Sequence, residues 1–511
     1  MIGSRVVSPS EGNETRRDGS QGFGVFHSTE EVGELHPAGP GGGKGTPVYS
    51  TMEGNVTRTP SLENTSTKLH RIATLAREIR VEPLRTLSHY IDVQFLTDAF
   101  RRTRKDGAVG VDGQTAQEYE QDLETNLQEL LNRAKSGTYR APPVRRVEIP
   151  KGNGATRPIG IPTFEDKVLQ RAVSMILGAI YEESFEEFSY GFRPHRSAHQ
   201  ALEIIRRQTA HLYGGWVVEV DIRGFFDNLD HRHLREVLNK RVGDGVIQRL
   251  VGKWLNAGVM CNQELVYPDK GTPQGGVISP ILANIYLDEV VDKWWSQTIV
   301  PRLTGRGIMV RYADDNTPRD SGKDKVMLLE HRRDARRMMR VLPKRFGRYG
   351  LELHPEKTRM LRFEPPNKRG HYPDDDPPGP SSTFAFLGFT FYWRRTHRGK
   401  WRVNMKTAKD RLRRTLTRFN LWMKRNRHLP VRTQHAYLAR ALTGHYAYYG
   451  VTGNGKALAS VHHHISRIWR NWLSRRNRSG LMPWSDFHRI LRHYPLPPPR
   501  IVHRTYCRAN L

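Results

Sequence analysis

Two apolar runs, each closed by acid, constrain this chain more than any other feature of its sequence. "WVVEV" at 216–220 ends on Asp221, and "GIMV" at 307–310 leads through Arg311, Tyr312 and Ala313 to the adjacent Asp314 and Asp315. Short runs of this kind, rich in β-branched residues, read as buried strands. Two such strands side by side would bring Asp221 to the aspartate pair, where like charges repel unless cations neutralise them. Carboxylates of this kind suit Mg²⁺ or Mn²⁺, and two such ions can activate an attacking hydroxyl and stabilise a departing pyrophosphate. Adjacent aspartates are also ordinary in turns, so the pair means little without Asp221.

Charge points to the partner. Lys and Arg number 82 against 52 Asp and Glu, a formal net charge of +30. A field of that sign attracts phosphate backbones and releases their counterions. The excess concentrates at residues 401–511, where 23 basic residues meet only Asp410 and Asp486. Interleaved aromatics, among them Phe419, Trp422, Tyr446, Tyr449, Trp469 and Trp472, suit a helical core beneath a basic face. Only Cys261 and Cys507 are present, which excludes a disulfide framework and a zinc finger. No apolar run approaches the roughly 20 residues of a membrane span, and the start lacks a secretory pattern. A cytoplasmic, nucleic-acid-associated protein with no membrane partner is expected.

Residues 1–60 are rich in Gly, Ser, Thr and Pro and read as a disordered leader. Helical spacing begins near Ser66, returns at Ile91–Arg104 and again at Ala116–Lys135. "VRRVEIP" and "TRPIGIP" then read as strands around a tip at Gly152-Asn153-Gly154. Helices are predicted over 163–182, His231–Leu255, Pro280–Ser296 and Asp334–Arg348, and "TFAFLGFTFYW" alternates like a strand. From about 405 the pattern is helical. The mixture without strict alternation predicts an α+β fold followed by an all-α domain.

Seven stretches in order identify a family. "TRPIGIP" at 156–162, "SYGFRPHRSAHQA" at 189–201, "VVEVDIRGFFDNLDH" at 217–231, "GTPQGGVISPILANIYL" at 271–287, "RYADD" at 311–315, "LELHPEKT" at 351–358 and "FAFLGF" at 384–389 resemble the boxes of group II intron-encoded reverse transcriptases and maturases. The resemblance implies a right-hand polymerase, with an N-terminal extension and the start of the fingers at 61–140, fingers and palm with an antiparallel sheet at 141–400, and an all-α thumb or maturase (X) domain at 401–511. It implies that Asp221, Asp314 and Asp315, helped by the Ile222 carbonyl, hold two Mg²⁺ or Mn²⁺ ions. Phe225 matches the aromatic beneath the incoming sugar, although Phe225 or Phe226 serves the core. Lys151 and Arg157 match the residues that clamp the triphosphate, and Gln274 lines the nucleotide pocket. Lys357 matches a lysine near the leaving pyrophosphate, acting as a proton donor. Arg193 would contact template, with a plain surface arginine as the alternative. Gly388, in the hairpin resembling a primer grip, would let backbone approach the primer end. The partners implied are intron RNA, template RNA with primer DNA, target DNA and deoxynucleoside triphosphates.

The chain departs from that pattern after Asp315. "NTPRDSGKD" at 316–324 replaces the expected apolar continuation, and a proline is poorly placed in a central strand. Either these residues are an insertion and Val326–Leu329 is the return strand, or the return strand is lost and the carboxylates are poorly held. With only two cysteines no zinc-stabilised endonuclease domain is expected, as in the compact class of group IIC introns. Neither the His462–His464 run nor Asp374–Asp376 is expected to bind metal.

Overall fold

The computed structural model describes residues 64–150, 156–261, 264–266, 271, 275–312, 325–366, 383–476 and 480–504. Helices α1 (Thr65–Glu78) and α2 (Val93–Arg101) start at Asn64 and Asp92, whose side chains accept first-turn N–H bonds. The helix predicted over 116–135 is two. α3 (Ala116–Gln121) opens on a Thr115–Glu118 capping box, and α4 (Leu123–Ser136) closes on Gly137 at φ 85°. The hairpin strands β1 (Val144–Pro150) and β2 (Thr156–Ile161) lead to the buried helix α5 (Phe164–Tyr181).

Helix α6 (Ala198–His211) and strand β3 (Gly215–Val220) precede α7 (His231–Asn239) and α8 (Gly245–Leu255). Here too one predicted helix is two, because Asp244 caps α8 and also accepts from the N–H groups of Leu87 and Ser88 at 2.8 Å. Short strands β4 (Val259–Cys261) and β5 (Glu264–Val266) follow. Helix α9 (Ser279–Leu287) continues in π-helical turns, Asp288–Asp292 and Trp295–Ile299. Next come β6 (Gly307–Arg311), β7 (Lys325–Leu329), α10 (Arg332–Gly347), β8 (Arg359–Phe363), β9 (Thr383–Phe386), β10 (Phe389–Arg395) and β11 (Trp401–Thr407). Four helices complete the described chain: α11 (Lys409–Arg425), α12 (Val431–Tyr449), α13 (Gly455–Ser474) and α14 (Trp484–His493). Among the described residues no helix is long and apolar enough to cross a membrane.

The central sheet has the order β6-β7-β3-β8, antiparallel throughout. The two acid-closed strands are therefore not side by side as expected, because β7 lies between them. Val326–Leu329 is the return strand, paired with β6 and β3 at once, and residues 316–324 lie outside the described residues. Alternation along the strands builds a core on each face. Met309, Met327, Val218 and Val220 join Met338, Leu342 and Phe346 of α10. Val310, Val326, Val217 and Phe363 face the other way and join Phe384, Phe391, Leu202 and Tyr446. A sheet covered on both faces explains why β3 is buried at all six positions and reads as continuous apolar sequence.

A second sheet, β2-β1-β4-β5, carries the hairpin of residues 144–161. The third, β11-β10-β9, turns at Leu387 and Gly388, whose φ values of 48° and 78° make the tight hairpin turn in which glycine is favoured. The β10–β11 hairpin runs across residue 400, so the all-helical part starts at Lys409. Phe419, Tyr446, Tyr449, Trp469 and Trp472 are all buried there. The chain then returns to α6, where the His199 and His503 rings stack with centroids 3.6 Å apart and His199 Nε2 lies 2.8 Å from the Tyr448 carbonyl.

Candidate active site at one end of the central sheet

Cross-strand pairing fixes where the acids leave the sheet. Arg311, Lys325 and Val220 lie in one row across β6, β7 and β3, so the chain leading to Asp314 and the chain carrying Asp221 emerge at the same end. Two strand spacings separate those exits, about 10 Å of backbone. Asp314 and Asp315 themselves lie outside the described residues, as do Lys151 and Gln274. Arg157 is placed by its backbone, paired with Ile149 in the β1–β2 hairpin.

Asp221 is 4% exposed. Its backbone is held by a bridge between Ile222 and Leu353: His354 N–H donates to the Asp221 carbonyl at 2.8 Å, and Arg223 N–H to Glu352 at 2.8 Å. That pattern turns the Ile222 carbonyl away from Leu353, toward the β7 side. Lys357 Nζ lies 3.1 Å from Asp221 Oδ2, an ion pair without hydrogen-bond alignment. Burial raises the Asp221 pKa above the ordinary carboxylate value, opposed by Lys357, His354 and Lys325. The Asp221 carboxylate and the Ile222 carbonyl are oxygen donors of the kind a hard divalent cation takes, whereas Lys357, His354 and Lys325 oppose such an ion; among the described residues no group of three or more His, Cys, Asp or Glu side chains comes together as a metal site.

Phe225 and Phe226 follow in a turn and meet edge to face at 5.2 Å, and both are buried, at 5% and 4%, where only one was expected in the core. Gly275, next to Gln274, has φ 110°, and a Cβ there would stand 2.6 Å from Ile159 Cγ2 and 2.9 Å from the Gly160 carbonyl. Only glycine lets this segment press against β2, which ties the neighbourhood of Gln274 to the strand of Arg157.

Arg193 is turned into the protein and is not the plain surface arginine of the alternative reading. Its side chain is 3% exposed and forks onto Glu182 through Nη2 at 2.7 Å and Nε at 3.0 Å, while Nη1 donates to the carbonyls of Glu186 and Ser189. Every nitrogen of the guanidinium is committed to protein. Gly388 is half-buried: a Cβ would stand 3.0 Å from Tyr449 Oη, and Tyr448 Oη donates to the Leu387 carbonyl at 2.9 Å. The turn is thus braced by α12.

Arg311 is a residue whose role sequence reasoning missed. It is fully buried and pairs with Asp292 of the π-helical turn at 2.6 Å. Nη1 donates to Asn284 Oδ1 at 2.8 Å and Nη2 to Ser189 Oγ at 2.5 Å. Its backbone bonds to Phe188 and Tyr190 at 2.9 Å. A charged residue three places before Asp314 in an otherwise apolar strand was the available signal.

The geometry defines an α+β protein with an acid-bearing sheet end and a basic helical segment. The family model for reverse transcriptase (RNA-dependent DNA polymerase) matches residues 149–391. The group II intron-encoded protein LtrA of Lactococcus lactis subsp. cremoris is 38% identical over 233 residues, 43% of this chain and 38% of LtrA. Protein YkfC of Escherichia coli K12 is 32% identical over 324 residues, 58% of this chain and 78% of YkfC. The putative COX1/OXI3 intron 2 protein of Saccharomyces cerevisiae is 39% identical over 169 residues, 33% of this chain and 19% of that protein. The match to LtrA thus covers well under two thirds of that relative. The chain belongs to the group II intron-encoded reverse transcriptase and maturase family.

Proposed function

We propose that this chain copies RNA into DNA by two-metal nucleotidyl transfer and assists the folding, splicing and mobility of its intron RNA. The observation that carries the reading is the row Arg311–Lys325–Val220, from which Asp221 and the strand leading to Asp314 and Asp315 leave the sheet together. Asp221, Asp314 and Asp315, with the Ile222 carbonyl, would hold two Mg²⁺ ions, which would supply Lewis acidity for nucleotidyl transfer. Lys151, Arg157 and Gln274 receive the deoxynucleoside triphosphate, and Phe225 backs its sugar.

In this reading the 141–400 region is fingers and palm, and the helices from Lys409 are a thumb and maturase domain over template RNA, primer and target DNA. Pairing of β7 on both sides supports a competent site over an impaired RNA-binding cofactor. Primer extension on an RNA template with Mg²⁺, comparing the chain with Asp314→Ala, tests it. Extension that is absent, or equal in the two proteins, overturns the polymerase reading.

A further inference from the structure

Helix α10 is the most basic element of the central region. Arg333, Arg336, Arg337, Arg340, Lys344 and Arg348 recur at three- and four-residue spacing along its exposed side. Among the described residues none of the six forms an ion pair. Salt bridges are plentiful elsewhere on the surface, so a ridge of exposed cations with none among the described residues marks a face that attracts polyanions.

Beside the ridge lies a cavity of about 280 Å³ between α10 and residues 294–303. Its floor is apolar: Trp294, Ile299, Leu303, Met338 and Val341. Its rim carries Arg302, Arg337, Lys344 and Arg348. The walls are built. Arg345 donates to the carbonyls of Glu289 and Val290 at 2.9 Å and lies over the Trp294 ring, and Asp334 accepts the N–H groups of Thr304 and Gly305.

The groove is not the cleft proposed above. Leu303 packs on Gly307, which pairs with Leu329 at the end of the sheet remote from Asp221. The row that ends on Val220, just before Asp221, is four residues along, about 13 Å. Helix α10 also covers the sheet face opposite to the β9–β11 hairpin.

We propose that this groove receives one unstacked nucleotide of a single-stranded nucleic acid, its base on the apolar floor and the flanking phosphates on the arginine ridge. Size favours a base over a peptide helix, because the cavity is small even for a small-molecule site. Chemistry favours it as well, because a flat π-system beside cations spaced along a helix is how sequence-tolerant single-strand binding is achieved.

The test uses the full chain and a fluorescein-labelled oligouridine. In fluorescence anisotropy, R337E/K344E/R348E should lower affinity about tenfold and reduce the log–log salt slope by about two to three. Circular dichroism and thermal melting check its folding. Independently of any variant, 4-thiouridine in the oligonucleotide should photo-crosslink wild-type protein within residues 294–303 or 337–348. An unchanged slope in the folded variant, crosslinks confined to other segments, or an acidic amphipathic peptide that displaces the oligonucleotide from these crosslinks each overturn the proposal. The crosslink does not depend on catalysis: if it persists in a chain that fails primer extension, the polymerase reading falls and the groove stands.

Discussion

Lys357 Nζ stands 3.1 Å from Asp221 Oδ2, an ammonium beside a carboxylate that burial pushes toward its neutral form. The lysine is half-exposed, with 47% of its side chain accessible, so it can leave when another cation arrives. In the proposed two-metal site, lysine and metal would compete for this one carboxylate. Lys357→Met is expected to tighten Mn²⁺ binding to the protein without nucleic acid, read by electron paramagnetic resonance. The same change should slow primer extension about a hundredfold if Lys357 protonates the leaving group. Asp221→Asn should weaken Mn²⁺ binding and slow extension about a thousandfold, since a metal-held charge is worth several kcal/mol.

Arg311 and Asp292 form a pair with both side chains fully buried. Removing one partner of such a pair costs about 3–5 kcal/mol, because the other charge is left desolvated. Arg311→Met should lower the melting temperature markedly, and Arg311→Met/Asp292→Leu should recover much of the loss. Equal losses in the single and double variants would show that the ion pair is not what holds β6 to α9.

Arg193→Ala should destabilise the protein by about 1–3 kcal/mol, chiefly because the Glu186 and Ser189 carbonyls lose their donor, while the partly exposed Glu182 can turn to water. Its RNA affinity and salt slope in anisotropy should match the wild type. A reduced slope would return Arg193 to the template.

Burial pushes the Asp166 carboxyl up to about 6, although Tyr139, Trp254 and Gln170 all donate to it. A folded-state value above the ordinary 3.8 means that the native state holds the proton more tightly. The associated stability is complete below about pH 4 and is lost as pH rises through 6, roughly 3 kcal/mol in all. Asp166→Asn does not titrate, so urea unfolding should show the variant gaining on the wild type by about that amount between pH 4 and pH 7.

Periodicity showed most strands and helices, and the apolar run 326–329 survived as a strand despite Pro318 upstream. What it missed depends on contacts remote in sequence. Asp244 breaks the helix expected over 231–255 because it also binds Leu87 and Ser88, and no local window contains them. Strand β8 went unseen because Arg359 and Arg362 interrupt the short apolar run "RMLRF", and their partners Glu219 and Glu364 are met only in the folded sheet. The buried pairing of Arg193 and Arg311 was not legible for one shared reason: their partners Glu182 and Asp292 come from other segments. The motifs marked Asp221, Lys357 and Phe225 as site residues, whereas the rows and caps that set Asp221 in place emerge only from the fold.

Strand β7 is stitched to a neighbour along each flank, and this has a consequence for how the gene can change. Codons may be gained or lost between Asp315 and Lys325 without sliding either flanking ladder, since the register is locked on both sides. Length there is free to drift, while a single slipped residue within β7 would exchange the side chains that fill the two cores on either face of the sheet.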